Sequence, residues 1–323
     1  MRAAVYRRFG GPEVVQIEDI PRPEPRATEV LIRVHATTVS AADYRSRSKD
    51  VPNGLALPSS LVLGFIRPRR PILGMDVAGV IEAVGDGVTR FSPADEVIAM
   101  LGSRFGGHAE YAVAKESSAI ALKPASASFR EAAALVFGGI TARAFLNQAH
   151  LRIGSRVLVN GASGAVGSAA VQLAKAVGAQ VTAVCSAGNA SLVTALGADR
   201  VVDYRAADFA AGDPSYDIVM DCVGNAPVSR VQSIVAPGGA VLLVAGDLRS
   251  VLTASQQSRR FGLTVATAPG PYLAADLEYL VHLFDADRLR PVIDRIYPLD
   301  QVADAHRYVD TKHKRGTVLI DVA

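Results

Sequence analysis

A chain of 323 residues, half hydrophobic and 20% charged, can bury two modest cores, so two globular domains are expected. Its formal net charge of +3 is spread along the chain, and the densest basic clusters, at residues 67–70 and 312–315, are short and broken by Pro or His, which argues against a nucleic-acid partner. No window approaches the roughly 18 apolar residues that cross a bilayer, residues 1–10 lack the apolar run of a secretory leader, and the two cysteines, Cys185 and Cys222, sit in separate apolar runs; a cytoplasmic protein with reduced thiols and no membrane partner is expected.

From the N-terminus to about Lys123, short alternating or apolar runs separated by Gly and Pro predict strands at 14–17, 29–37, 77–84, 96–99, 110–114 and 118–122, a β-rich domain of Greek-key or barrel character. Periodicity disappears between Arg47 and Arg70; a loop of that length is usually functional or mobile, and a substrate lid is the functional reading. After Pro124 the rhythm becomes strand, helix, strand. Strands at 156–160, 180–185, 200–203, 217–222, 240–245 and 263–267 complete a doubly wound parallel Rossmann set, giving a dinucleotide-binding domain over 124–267. The rest, with helices at 274–285 and 299–310 and a strand at 317–322, folds back onto the first domain, which thus comprises 1–123 and 268–323.

One motif carries the chemistry. Asn160-Gly161-Ala162-Ser163-Gly164-Ala165-Val166-Gly167 follows an apolar strand and opens a helix over 166–177. Gly164 lets the backbone approach a pyrophosphate, Gly167 lets the helix pack closely on the strand, and the amides at the helix start offer unpaired donors to phosphate. An acid just beyond the second strand would bind a ribose 2′-hydroxyl and repel a 2′-phosphate; Ser186 stands there, followed by Ala187, Gly188 and Asn189, with no acid expected in reach. Neutral Ser186 and Asn189, with Tyr204 after the third strand and Arg205 to supply charge, favour NADPH over NADH. The plainer alternative is that Ser186 and Asn189 cap the helix that follows.

These residues, together with Ala4-Val5-Tyr6, Phe9-Gly10-Gly11-Pro12, Glu29-Val30-Leu31-Ile32, Leu73-Gly74-Met75-Asp76-Val77-Ala78-Gly79-Val80, Gly107-His108-Ala109-Glu110-Tyr111, Gly197-Ala198-Asp199 and Gly316-Thr317-Val318-Leu319, resemble the zinc-independent quinone oxidoreductase branch of the medium-chain dehydrogenase/reductase superfamily over nearly the whole chain. The resemblance implies an α/β fold in which a Rossmann domain joins a GroES-like β-rich catalytic domain. Zinc-using members draw ligands from a Cys at the position matching Ser40 to Asp43 and from a Gly-His-Glu block matching Gly74-Met75-Asp76; here both the Cys and the His are missing, and so are the four close cysteines of a structural zinc lobe. His35, His108, His150, His282, His306 and His313 show no pairing at helical or hairpin spacing and read as surface or packing residues. No metal is expected.

By resemblance the nicotinamide lies in the interdomain cleft, near residues 137–141, which include Thr141, and near Val244, Ala245 and Gly246; Val223 and Arg315 complete the candidate cofactor contacts. Hydride would pass to a quinone or other α,β-unsaturated carbonyl, so negative charge grows on its oxygen and needs a placed donor. Ser40, Tyr44 and Arg45 are the candidates: Arg45 or Ser40 for oxyanion contact, Tyr44 or solvent for the proton. Relatives carry Asn at the position of Ser40 and often Tyr at that of Arg45. An Asp43–Arg47 ion pair is the structural alternative for that block. An enoyl or 2-alkenal reductase, or a scaffold that binds NADPH without turnover, are the rival readings, and relatives commonly dimerise along the edge of the Rossmann sheet, where 263–267 would lie.

Overall fold

The computed structural model describes residues 1–212 and 215–322 and divides the chain into two compact units, one of residues 1–51, 56–140 and 272–323, the other of 52–55 and 141–271. In the first unit the eleven-residue strand Glu29–Val39 is the organiser. Its first half pairs antiparallel with Tyr111–Lys115 on one edge and Asp76–Val84 on the other, and residues 36–39 pass to Thr317–Asp321. Two register shifts within the strand let it bend and serve three neighbours. Glu96–Met100 and Ile120–Leu122 extend one side, and Ile293–Pro298 lies parallel to Thr317–Asp321 at the other end. Alternate residues point inward, so Val30, Ile32, Val34, Val77, Ile81, Val97 and Ile120 form one buried cluster. A separate hairpin, Arg2–Tyr6 with Val15–Asp19, seats Tyr6 on a second cluster with Leu73, Val302, Val309, Val318 and Ile320.

The second unit is a six-stranded parallel sheet: Arg156–Asn160, Gln180–Cys185, Arg200–Asp203, Tyr216–Asp221, Val235–Leu243 and Thr264–Ala266, in the spatial order third, second, first, fourth, fifth, sixth. Helices cover such a sheet on both faces, so its inner strands are apolar throughout rather than alternating: Val157, Leu158, Val159, Val219, Met220, Val241 and Leu242 are all inaccessible to solvent. Each such side chain contributes about 1.5–3 kcal/mol. The strand order reverses between the first and fourth strands, which places the carboxyl ends of those strands at the switch point where such sheets bind ligands.

Three helices depart from the sequence expectation. Ala41–Ser48 occupies the block read as a set of donors; Ala56–Leu63 lies inside the stretch expected to be a loop; and Phe129–Leu146, eighteen residues long, precedes the first Rossmann strand. Pro58 is tolerated in the second of these because it sits in the first turn, where the lost amide has no intrahelical partner. The long helix hides its pattern because it is apolar nearly all round and carries Gly138 and Gly139 at its centre; a Cβ on Gly139 would stand 2.7 Å from Leu280, so glycine there is a packing requirement. No helix among the described residues is long and apolar enough to cross a membrane.

Candidate functional site

The glycine turn is built as its sequence requires. Gly161 holds φ +78, and its amide and that of Ala162 both donate to the Val184 carbonyl, fixing the turn to the second strand. Gly164 begins the helix Ala165–Val177 with no side-chain cap and no acid in the first turn, so the positive end of the helix and its unpaired amides are available to an anion. A Cβ on Gly167 would lie 2.2 Å from the Gly161 carbonyl oxygen and 2.8 Å from the Ala162 Cα. One on Gly164 would meet only the Gly161 oxygen, at 3.5 Å. The helix closes on Gly178 at φ +90. Ala165 and Val166, in its first turn, are half-buried.

Ser163, Ser186 and Asn189 are brought together. The Asn189 side-chain amide donates to Ser163 Oγ at 3.0 Å and to Ser186 Oγ at 3.3 Å, joining the turn to the loop after the second strand. Neither Ser186 nor Asn189 caps a helix through its side chain, so the capping alternative does not hold. Asn189 Oδ1 is buried without a hydrogen-bond partner, an open acceptor at the place expected to receive the ribose end of a dinucleotide. Tyr204, half exposed, and Arg205, stacked 5.6 Å from its ring, follow the third strand. Strand pairing adds an acid that the linear reading missed: Asp203 lies opposite Cys185, one residue before Ser186, and its carboxylate accepts from the Arg205 amide at 3.0 Å.

Asp221, at the end of the fourth strand, is a hub the sequence reading overlooked. Its buried carboxylate accepts from the Asn160 side chain and from the amides of Val223, Gly224 and Ala226, at 2.8 to 3.1 Å, while Asn160 also donates to Asn225 Oδ1 at 2.6 Å. This shapes the loop that sets Val223 over Gly161, where the valine methyl would be 2.7 Å from any Cβ. An Asp before a Gly-Asn pair at a strand end is an Asx-turn signal and could have been read. Val244 donates its amide to the Asp221 carbonyl, and Val244, Ala245 and Gly246 are half-buried beyond the fifth strand. Thr141 is buried within the helix Phe129–Leu146. Arg315 belongs to the other unit, where its amide donates to Asp294. Burial pushes the Cys185 and Cys222 thiols up, and both cysteines are unbridged.

The donor block requires correction. Ser40 is the N-cap of Ala41–Ser48: its hydroxyl accepts from the amides of Ala42 and Asp43 and donates to Asp43 Oδ2 at 2.5 Å, a reciprocal capping box that leaves it no proton to offer a substrate. Asp43 does not pair with Arg47; its other oxygen takes the Gly74 amide at 2.8 Å, and Arg47 pairs with Asp310. The Tyr44 hydroxyl donates to Asp50, and burial followed by that contact raises its pKa. Arg45 is partly buried and, among the described residues, has no hydrogen-bonding or ion-pair partner for its guanidinium. Burial lowers its pKa, with the Asp50 carboxylate opposing.

Behind this block lies a buried polar cluster. Asp76 accepts from the Thr38 amide at 2.9 Å and from Thr38 Oγ1 at 2.7 Å, and its complete burial pushes its pKa up to about 7. The folded state therefore holds this proton far more tightly than the unfolded chain, and the stabilisation drains away as pH rises from the ordinary carboxylate range through about 7. Asp76→Asn should flatten that decline in a urea-unfolding series between pH 5 and 8 (about the span of both states' titrations), and an identical slope in both proteins would refute it. Two histidines expected to be solitary also meet: His108 and His306 pack edge to face at 5.6 Å, 198 positions apart in sequence, and both are buried.

Among the described residues, no three His, Cys, Asp or Glu side chains converge as metal ligands. No Cys stands between Ser40 and Asp43, Met75 takes the place of the His, and Asp76 is committed to Thr38, so these residues do not fit a zinc ion. The dinucleotide case is the opposite: an uncapped helix end and a turn with no side chain over Gly164 fit a phosphate, and the open acceptor on Asn189 fits a ribose hydroxyl.

A Rossmann unit with this turn, in one chain with a GroES-like β unit, defines a nicotinamide-dependent oxidoreductase of the medium-chain dehydrogenase/reductase superfamily. Residues 26–124 match the alcohol dehydrogenase GroES-like domain and residues 196–320 the zinc-binding dehydrogenase family. The chain belongs to the quinone oxidoreductase branch of that superfamily: it is 32% identical to the chloroplast envelope quinone oxidoreductase homolog of Arabidopsis thaliana, across 99% of this chain and 98% of that one. It is 33% identical to the quinone oxidoreductase of Homo sapiens across 96% and 94%. The solved quinone oxidoreductase of Coxiella burnetii superposes with a TM-score of 0.87 at 29% identity, covering 100% of this chain and 99% of that structure.

Proposed function

We propose that this enzyme is an NADPH-dependent, zinc-free reductase that delivers hydride to a quinone or another α,β-unsaturated carbonyl compound. The observation that carries it is the continuous polar path from the glycine turn to the loop after the second strand, Ser163–Asn189–Ser186, in a chain whose residues at the zinc positions cannot ligate the ion. Bound reduced dinucleotide supplies the hydride. The chain's residues would do the rest: the amides of Ala165 and Val166 would hold pyrophosphate; the Ser186 hydroxyl, Tyr204 and Arg205 would hold the adenosine 2′-phosphate, with Asn189 positioning Ser186 and its open Oδ1 accepting from a ribose hydroxyl; Thr141 and Val244 to Gly246 would hold the nicotinamide end. Arg45, whose guanidinium makes no hydrogen bond or ion pair among the described residues, would meet the negative charge that develops on the acceptor oxygen. The proton comes from solvent, since Tyr44 with its raised pKa is a poor acid and its hydrogen is engaged by Asp50.

An acceptor panel of benzoquinone, phenanthrenequinone and 2-alkenals, scored by loss of NADPH absorbance against a no-acceptor control, tests the reaction. A quinone should head the series; 2-alkenals turning over best would assign an alkenal reductase instead. Cofactor choice is tested separately by Ser186→Asp. A carboxylate beside a 2′-phosphate at an effective dielectric near 20 costs enough to lower the NADPH-to-NADH ratio of kcat/KM by about 10- to 100-fold. An unchanged ratio would remove the 2′-phosphate from this loop.

A further inference from the structure

We propose that residues 56–70 form a docking surface for an anionic lipid bilayer, contacting its interface without crossing it. Isolated apolar residues on a surface are ordinary, but contiguous ones are not. The helix Ala56–Leu63 buries none of its residues, and Leu57, Leu61, Val62, Phe65 and Ile66 are between 55% and 87% exposed, with Ile66 the most. Directly after them come Arg67, Arg69 and Arg70, exposed and, among the described residues, without any hydrogen-bonding or ion-pair partner for their guanidinium groups. Ile66, Arg67 and Arg69 share with Tyr6, Arg7 and Arg8 the wall of a surface depression of about 790 Å³. Glu13 and Glu18 also line it, but Glu18 is taken by Arg7, which leaves three cations, Arg8, Arg67 and Arg69, facing one free acid.

The patch is presented on a fixed backbone. Gly64 turns the chain at φ +109, where a Cβ would stand 2.1 Å from the Arg67 carbonyl oxygen; the Arg69 amide donates to the Leu63 carbonyl at 2.8 Å; and Lys49 Nζ donates to the Phe65 carbonyl at 2.7 Å. Apolar tips and arginines therefore emerge from one short folded segment. A soluble anion would satisfy the arginines and leave Leu57, Leu61, Val62 and Phe65 in water. An apolar protein face would cover those and strand the arginines. The headgroup region of an anionic bilayer answers both, with apolar side chains entering the acyl boundary and guanidinium groups on lipid phosphates. Among the described residues no helix is long and apolar enough to cross a membrane, which is compatible with an interfacial contact.

The chain contains no tryptophan, so an Ile66→Trp variant of the full-length protein carries a single reporter at the most exposed point of the patch. Its emission should shift to the blue on adding phosphatidylcholine vesicles that contain phosphatidylglycerol, and stay put with phosphatidylcholine alone. In the same background, Arg67→Gln with Arg69→Gln and Arg70→Gln should weaken partitioning about hundredfold, at roughly fivefold per arginine. Circular dichroism confirms that each variant is folded. No blue shift on anionic vesicles, an equal shift on phosphatidylcholine, or undiminished partitioning of the triple arginine variant would overturn the proposal. So would a shift that grows with protein concentration alone, which marks self-association, or inorganic phosphate raising the melting temperature where vesicles have no effect, which assigns the arginines to a soluble anion.

Discussion

Gly164→Ala should lose nucleotide affinity while keeping its stability, and Gly167→Ala should lose both. The two glycines look equivalent in the motif and differ in what surrounds them. Gly164 has φ −82, an ordinary conformation for alanine, and a Cβ there would find one neighbour at a normal contact distance of 3.5 Å. The fold does not need a glycine at that position. A phosphate drawn against the Ala165 and Val166 amides does, because the methyl group would stand where an oxygen must come. Losing one charge-assisted hydrogen bond of about 1.5–3 kcal/mol corresponds to a drop in affinity of about 10- to 100-fold. At Gly167 the new methyl meets backbone at 2.2 and 2.8 Å, and neither the Gly161 carbonyl nor the Ala162 Cα can retreat without pulling the turn off Val184. An overpacking cost of about 1–3 kcal/mol is expected there. Calorimetric titration with NADPH, alongside urea unfolding, separates the two effects. If Gly164→Ala binds as well as the native chain, the pyrophosphate does not lie on this turn and the functional reading loses its anchor.

What the sequence made legible follows from which forces act locally. The six parallel strands were readable because a sheet covered on both faces demands unbroken apolar runs, and three of them, Arg156–Asn160, Gln180–Cys185 and Arg200–Asp203, fall on the expected bounds. Ile293–Pro298 was missed because it is an edge strand with the composition IDRIYP, in which no residue is fully buried. The glycine turn could be seen because it is assembled from consecutive residues. The role of Ser40 was misjudged because Ser-x-x-Asp before a helix is a capping signal, and the helix itself, AADYRSRS, is too polar to announce its face. Asp203 beside Cys185, the Asp221 hub and the meeting of His108 with His306 depend on strand register and long-range packing, to which spacing along the chain is blind.

Asp310→Ala should be among the most destabilising single substitutions in the β-rich unit, at about 3–5 kcal/mol. Its partner Arg47 is wholly inaccessible to solvent, gives both hydrogen bonds of one guanidinium nitrogen to the Asp310 carboxylate at 2.6 Å, and donates to the Gly10 carbonyl at 2.6 Å and to His306 Nδ1 at 3.4 Å. That last contact requires an unprotonated Nδ1, which agrees with a His306 pKa held well below the ordinary value by burial first, and then by His108 and the guanidinium itself. Neutral histidine cannot replace the lost carboxylate. Truncating Asp310 thus leaves a buried cation with two neutral acceptors, and the penalty is chiefly that of the stranded charge rather than the worth of the pair. Adding Arg47→Met to Asp310→Ala removes the stranded charge and should recover a substantial part of the loss, so the double variant unfolds at higher urea than Asp310→Ala alone. Were the single variant to cost less than about 1 kcal/mol, the value of an exposed pair, the guanidinium would have to reach water in solution. Were the double variant no more stable than the single, the cost would lie in the packing of the helix Val302–Asp310 against the turn Pro12–Val14 and not in charge.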